Sequence, residues 1–175
     1  DHSKRMPRQM GVTSVFYAAA DGGAIVEAVS GLVTPNGVGL SPDERTLYVA
    51  ETIPRRVWAF DIVAPGKIDV LPWPSPNGGR LVAGLPDANY LDSMAIDAAG
   101  AINVASFNSC GIWTISPDGA KRRFTPIDDF YATNIAFGGP DMTTAFVTLS
   151  STGRLIAIDW PEPGLVLNHQ QTEKA

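Results

Sequence analysis

Apolar and polar positions alternate along this chain in short runs, and the runs recur in a fixed order. Val38 to Ser41 alternates like a short buried strand, Pro42-Asp43-Glu44-Arg45 has tight-turn chemistry, and Thr46 to Thr52 is a β-branched and aromatic run, so the stretch is predicted to be a β-hairpin. The same hairpin returns as Ser93 to Asp97, Ala98-Ala99-Gly100, and Ala101 to Ser106. It returns again as Asn134 to Gly138, Gly139 to Met142, and Thr143 to Thr148. A third strand follows each hairpin, at Arg56 to Ile62, Gly111 to Ser116 and Gly153 to Trp160. A fourth follows at Arg80 to Leu85, Lys121 to Thr125 and Gly164 to Leu167.

The remaining segments fit around these units. Residues 1 to 11 are polar and read as a loop. Val12 to Ala19, the turn Ala20-Asp21-Gly22-Gly23 and Ala24 to Val29 supply two more strands, half a unit. Residues 63–79 carry Pro65, Pro72, Pro74 and Pro76 with Asn77-Gly78-Gly79, which predicts a long surface loop. Residues 168–175 are polar and expected to fray. No segment sustains a 3.6-residue period, so no helix is expected. The repeats start at Asn36, Asp92 and Asn134, intervals of 56 and 42 residues, and the longer one contains the proline-rich insertion. A four-stranded repeat of about 40–50 residues is the mark of a β-propeller blade. The expected fold is therefore all-β, with three blades and the outer half of a fourth.

Composition narrows the function. Of 175 residues, 45% are hydrophobic and the net charge is −5, so the chain should bury a core and is a poor nucleic-acid ligand. Lys4-Arg5-Met6-Pro7-Arg8 and Lys121-Arg122-Arg123 are its only basic clusters. The single cysteine, Cys110, excludes an internal disulfide and a cysteine-built metal cage; it is read as a loop thiol. No apolar run approaches the ~20 residues of a membrane span, and residues 1–5 have no signal-peptide core, so a cytoplasmic location is expected. Ser14, Ser93, Ser109 and Cys110 lack the histidine pattern of a nucleophilic triad. The glycines occur in turns, not in a phosphate-binding loop.

In an antiparallel blade, the loop entering the first strand and the loop leaving the second emerge on one face. The first strand lies innermost. Asn36, Asp92 and Asn134, at three blade entrances, should thus meet at one mouth of the central channel, with Glu51, Thr52, Asn108, Ser150 and the His2 loop around them. Such convergent oxygens suit a hard cation, Ca²⁺ first. The alternative is local: an Asn before Gly stabilises a turn through its own amide, and Asp92 and Asn134 are open to the same reading. Glu51 is read as a buried hydrogen-bonding group rather than a ligand.

The hairpin Thr34-Pro35-Asn36-Gly37-Val38-Gly39-Leu40-Ser41-Pro42-Asp43 with Thr46-Leu47-Tyr48-Val49-Ala50-Glu51-Thr52, the segment Leu91-Asp92-Ser93-Met94-Ala95-Ile96-Asp97 and the segment Thr133-Asn134-Ile135-Ala136-Phe137-Gly138-Gly139 resemble the gluconolactonase, senescence marker protein and luciferin-regenerating enzyme family. Residues 91 and 93 are Leu and Ser where that family usually has Pro and Gly. The resemblance implies the C-terminal part of one six-bladed propeller domain over residues 1–175, and a divalent cation, Ca²⁺ or else Zn²⁺, Mn²⁺ or Mg²⁺. It implies hydrolysis of sugar lactones. Asn36 would then be a metal-ligating amide, and Asp92 a metal-ligating carboxylate that also acts as general base or nucleophile. Asn134, His2 and Asn108 would be substrate contacts. Two further ligands of the family lie in a first half that this chain lacks, so the fragment alone should be inactive. A missing half or a second copy of the chain would complete the ring. The rival readings are a phosphotriesterase or arylesterase of the diisopropylfluorophosphatase type, and a non-catalytic binding module.

Overall fold

The computed structural model describes residues 11–87 and 89–168. Those residues form strands, turns and loops, with no helix among them. In chain order the strands are β1 (Thr13–Ala18), β2 (Ile25–Leu32), β3 (Pro35–Leu40), β4 (Thr46–Glu51), β5 (Arg56–Ala64), β6 (Lys67–Ile68), β7 (Arg80–Gly84), β8 (Tyr90–Ile96), β9 (Ile102–Phe107), β10 (Gly111–Ile115), β11 (Arg122–Pro126), β12 (Ala132–Gly138), β13 (Thr144–Leu149) and β14 (Arg154–Asp159). They pair antiparallel into four sheets: β1-β2, β3-β4-β5-β7 with β6 at the far end of β5, β8-β9-β10-β11, and β12-β13-β14.

Serine-aspartate turns set two of the hairpins. The Ser41 hydroxyl donates to Asp43 (2.6 Å) and accepts from the Thr46 amide (2.9 Å). Ser116, Asp118 and Lys121 repeat the arrangement between β10 and β11. In both turns the serine hydroxyl is the main influence holding the aspartate below its ordinary pKa. The β8–β9 hairpin uses Asp97, which is buried and accepts from the Ala99 and Ala101 amides (3.1 and 2.8 Å) and from Asn103 Nδ2 (3.2 Å).

The core lies between neighbouring sheets. Tyr48, Val57 and Val82 meet Leu91, Ile102 and Ile115 in one cluster; Ala105 and Ile112 meet Ile135, Val147 and Trp160 in the next. The first strands β3, β8 and β12 stand side by side without hydrogen bonding, β8 in the middle. This is the radial packing of propeller blades around an axis.

Two expectations change. Residues 63–79 are not all loop, because β5 runs on to Ala64 and folds back through Gly66 (φ 72°) into β6. The Ile62–Ile68 pairing sets Ile68 against Val29 and Phe60. The fourth strand expected at Gly164 to Leu167 does not form, so the third blade has three strands rather than four. That segment turns instead to the preceding blade. Ala98 N–H donates to Pro163 O (2.8 Å), Leu165 N–H donates to Ile96 O (3.0 Å), and Leu165 packs on the core below β8. Gly164 lies so close to Phe137 that no side chain fits there. Within the expected frayed tail, Asn168 donates to Glu44 (3.0 Å); residues 169–175 and the His2 loop lie outside the described residues.

Asp97→Ala would strand the buried Asn103 side-chain amide and the part-buried Ala99 and Ala101 amides of the β8–β9 turn, and such a loss costs about 1–3 kcal/mol. The midpoint of urea unfolding should fall accordingly, and an unchanged midpoint would show that the Asp97 network adds nothing to stability.

Candidate functional site

All three innermost strands carry an irregularity at the same height. Pro35 pairs with Glu51 and Val38 with Val49; Leu91 pairs with Ser106 and Met94 with Val104; Ala132 pairs with Leu149 and Asn134 with Thr148. Each time the inner strand holds one residue more than its partner, which is a β-bulge, a device that re-aims side chains. Asn36 and Asp92 sit inside the first two bulges. In the third the bulged residue is Thr133, and Asn134 is already back in register.

The register therefore corrects the alignment of the three entrances by one residue. Asn134, within β12, accepts a local hydrogen bond from the Ile135 amide (2.8 Å). Thr133, the true counterpart of Asp92, has its hydroxyl 3.0 Å from Thr148 Oγ1 and 3.2 Å from Ser150 Oγ. The strand segments that carry Asn36 and Asp92 lie side by side. A methyl group added at Gly37 would come within 2.5 Å of the Asp92 carbonyl oxygen, so the backbones of β3 and β8 nearly touch beside both residues. The Asn36 side chain is exposed and makes no hydrogen bond among the described residues, whereas Asp92 is half-buried.

The second-strand ends surround this point. Glu51 is buried with both oxygens engaged, one by the Val33 amide (2.5 Å) and one by Trp58 Nε1 (2.7 Å), so it is a brace between chain segments. Asn108 (φ 68°) occupies the β9–β10 turn at the same end of its sheet, and its N–H donates to Phe130 O (3.0 Å). Cys110 is in that turn, half-buried and unpaired.

Two features of this rim escape a strand-pattern reading. One is a row of rings: Tyr90 stacks on Phe107 (5.3 Å between centroids), Phe107 lies 5.7 Å from Tyr131, and Phe130 meets Tyr131 edge-on at 5.0 Å. The other is Asp129, which sits just before β12 and accepts from the Tyr131 amide (2.8 Å), the Ser151 and Thr152 amides (3.2 and 3.1 Å) and the Thr152 hydroxyl (2.6 Å). Removal from water works to raise the Asp129 carboxyl, but those hydrogen bonds, Thr152 foremost, outweigh it and hold the group at about 2. The sequence signal for both lay in Asp128-Asp129-Phe130-Tyr131, an acidic pair followed by two rings at a blade entrance.

A family model described as the SMP-30/gluconolactonase/LRE-like region matches residues 1–151. The chain belongs to this family. Among its relatives, regucalcin of Xenopus laevis is 33% identical over 121 residues, 67% of this chain and 38% of that protein. The 6-deoxy-6-sulfogluconolactonase of Pseudomonas putida is 28% identical over 141 residues, 77% of this chain and 45% of that protein. A solved structure of a calcium-binding protein, regucalcin from Agrobacterium tumefaciens, superposes with a TM-score of 0.67 at 21% identity, covering 88% of this chain and 56% of that one; this likeness concerns the fold. The chain spans less than half the length of the two curated relatives. No helix of the described residues is long and apolar enough to cross a membrane.

Gly37→Ala should force β3 and β8 apart, with a loss on the scale of an overpacked core, about 1–3 kcal/mol, measurable by chemical denaturation. The Asp129 pKa is lowered from an ordinary 3.8 to about 2, so its stabilisation is complete above pH ~4 and fades as pH falls towards 2. The difference in melting temperature between the native protein and Asp129→Asn should close over that interval; a constant difference would remove the carboxylate from the rim's stability.

Proposed function

We propose that this chain supplies part of the active site of a divalent-cation-dependent lactone hydrolase, with Asp92 as its reacting carboxylate. The observation that carries the reading is the juxtaposition of Asn36 and Asp92, held by matching bulges on two abutting inner strands. Membership of a family whose relatives include a named gluconolactonase supports the substrate class.

The donor chemistry fits a hard cation. An amide oxygen with no partner among the described residues and a half-buried carboxylate are both ligands of the kind Ca²⁺ accepts, and Ca²⁺ takes roughly six to eight oxygens. Among the described residues no group of three or more acidic, histidine or cysteine side chains gathers to hold an ion. Asn36 and Asp92 therefore form part of a site, and the other part of the ring, a preceding segment or a second copy of this chain, completes it. Ca²⁺ is the first candidate, with Zn²⁺, Mn²⁺ or Mg²⁺ as alternatives.

When bound, the cation would polarise the lactone carbonyl as a Lewis acid. As general base, Asp92 takes a proton from a water whose oxygen attacks the carbonyl carbon; the ring C–O bond breaks and the departing oxygen takes up that proton, giving a hydroxy acid. As nucleophile, Asp92 attacks the carbon itself and ring opening leaves a mixed anhydride, which a water then cleaves to the hydroxy acid and the free Asp92 carboxylate. Asn36 would offer the cation its amide oxygen from β3.

In the complete protein, Asp92→Asn should lower lactone turnover by about 10²-fold or more, the scale of a lost general base, with the circular dichroism spectrum and unfolding midpoint retained. Turnover of a sugar lactone that survives this change would remove Asp92 from the mechanism. Asn36→Ala should raise the cation concentration needed for half-maximal activity. Assaying diisopropyl fluorophosphate beside gluconolactone separates lactone hydrolysis from phosphotriester hydrolysis.

A further inference from the structure

The four rings Tyr90, Phe107, Tyr131 and Phe130 stand outside the hydrophobic clusters that fill the gaps between the sheets. They form a row across the rim, from the start of β8, past the end of β9, to the residues just ahead of β12. The outer two are 48% and 42% exposed, at Phe130 and Tyr131. Phe130 and Tyr131 are adjacent in sequence and meet edge-on, so their exposed surface is one continuous aromatic patch.

The row begins beside the reacting carboxylate. Tyr90 precedes Asp92 by two residues on β8, and the residue between them, Leu91, is fully buried. The row therefore starts on the same strand as Asp92, one residue ahead of the bulge that contains it. The row is also held rigidly. A backbone bridge joins Phe107 to Tyr131, Asn108 N–H donates to Phe130 O, and Asp129 accepts from the Tyr131 amide. Rings fixed in advance lose little freedom when a ligand arrives. Two tyrosine hydroxyls are the only side-chain polar atoms of the row. The Thr133 hydroxyl lies within hydrogen-bonding distance of those of Thr148 and Ser150. A hydroxyl-rich sugar ring laid here would give up hydration with few replacement hydrogen bonds, which is unfavourable. A planar aromatic group would instead meet ring faces and edges directly.

We propose that this row is a substrate platform, and that it selects lactones or esters bearing an aromatic or flat apolar substituent over polyhydroxylated sugar lactones. The proposal deepens the hydrolase reading above and rests on it for the chemical step.

The test uses the complete protein with its cation, and compares dihydrocoumarin with glucono-1,5-lactone. Phe130→Ala and Tyr131→Leu should each lower the dihydrocoumarin-to-gluconolactone ratio of kcat/KM by about tenfold, the scale of one well-placed ring contact. A ratio unchanged within about twofold in both variants overturns the platform. A binding measurement separates this outcome from failure of the hydrolase reading. The lactam analogue of dihydrocoumarin, which does not open, should bind the native protein and bind Phe130→Ala about tenfold more weakly. If neither lactone is turned over while the lactam shows that loss, the platform stands and the hydrolase reading falls; if the lactam binds both proteins equally, the platform falls.

Discussion

The near-contact of two backbones at Gly37 governs the geometry of this molecule. Inner strands of neighbouring blades do not hydrogen bond, so their spacing is set by the bulk of the residues between them. At Gly37 there is none, and β3 settles against the Asp92 carbonyl. The bulges at the same height then turn Asn36 and Asp92 out of the regular alternation. Without the close approach, strand segments 56 positions apart in sequence would not lie side by side at this height.

The two ends of the ring have different characters. At the end away from the site, the inner turns are closed by short serine-aspartate and Asp97 networks and crossed by the segment from Pro163 to Asn168, which touches β8 and then Glu44. At the site end Asn108 and Cys110 take positive φ in the β9–β10 turn, as Glu44 and Met142 do in turns at the other end. Blades β8–β11 and β12–β14 are joined there by backbone hydrogen bonds as well as by side-chain packing. One face is stitched shut and the other is shaped.

The hairpin repeat was legible in the sequence because alternation with period two, turn residues and spacing all pointed to the same units. Glu51 was legible as a brace, since a carboxylate ending an otherwise apolar strand needs buried partners. The offset at Asn134 was not, because a bulge adds a residue without leaving any mark in the pattern of apolar positions; Thr133 and Asn134 are both polar, and only strand pairing tells which is displaced. The apolar run at Gly164 to Leu167 misled for another reason. Leu165 does enter a core, but that of the preceding blade, and apolar character says nothing about which neighbour receives it. Asp129 was hidden by being one of two adjacent aspartates, which look alike until hydrogen bonds separate them.

Asp129 gives the rim a mechanical property. Because a single carboxylate grips both the stretch leading into β12 and the bend between β13 and β14, a load applied to either is borne by both. A molecule leaning on Phe130 deforms a clamped bracket rather than a loose flap, so the opening resists widening where it would otherwise be softest.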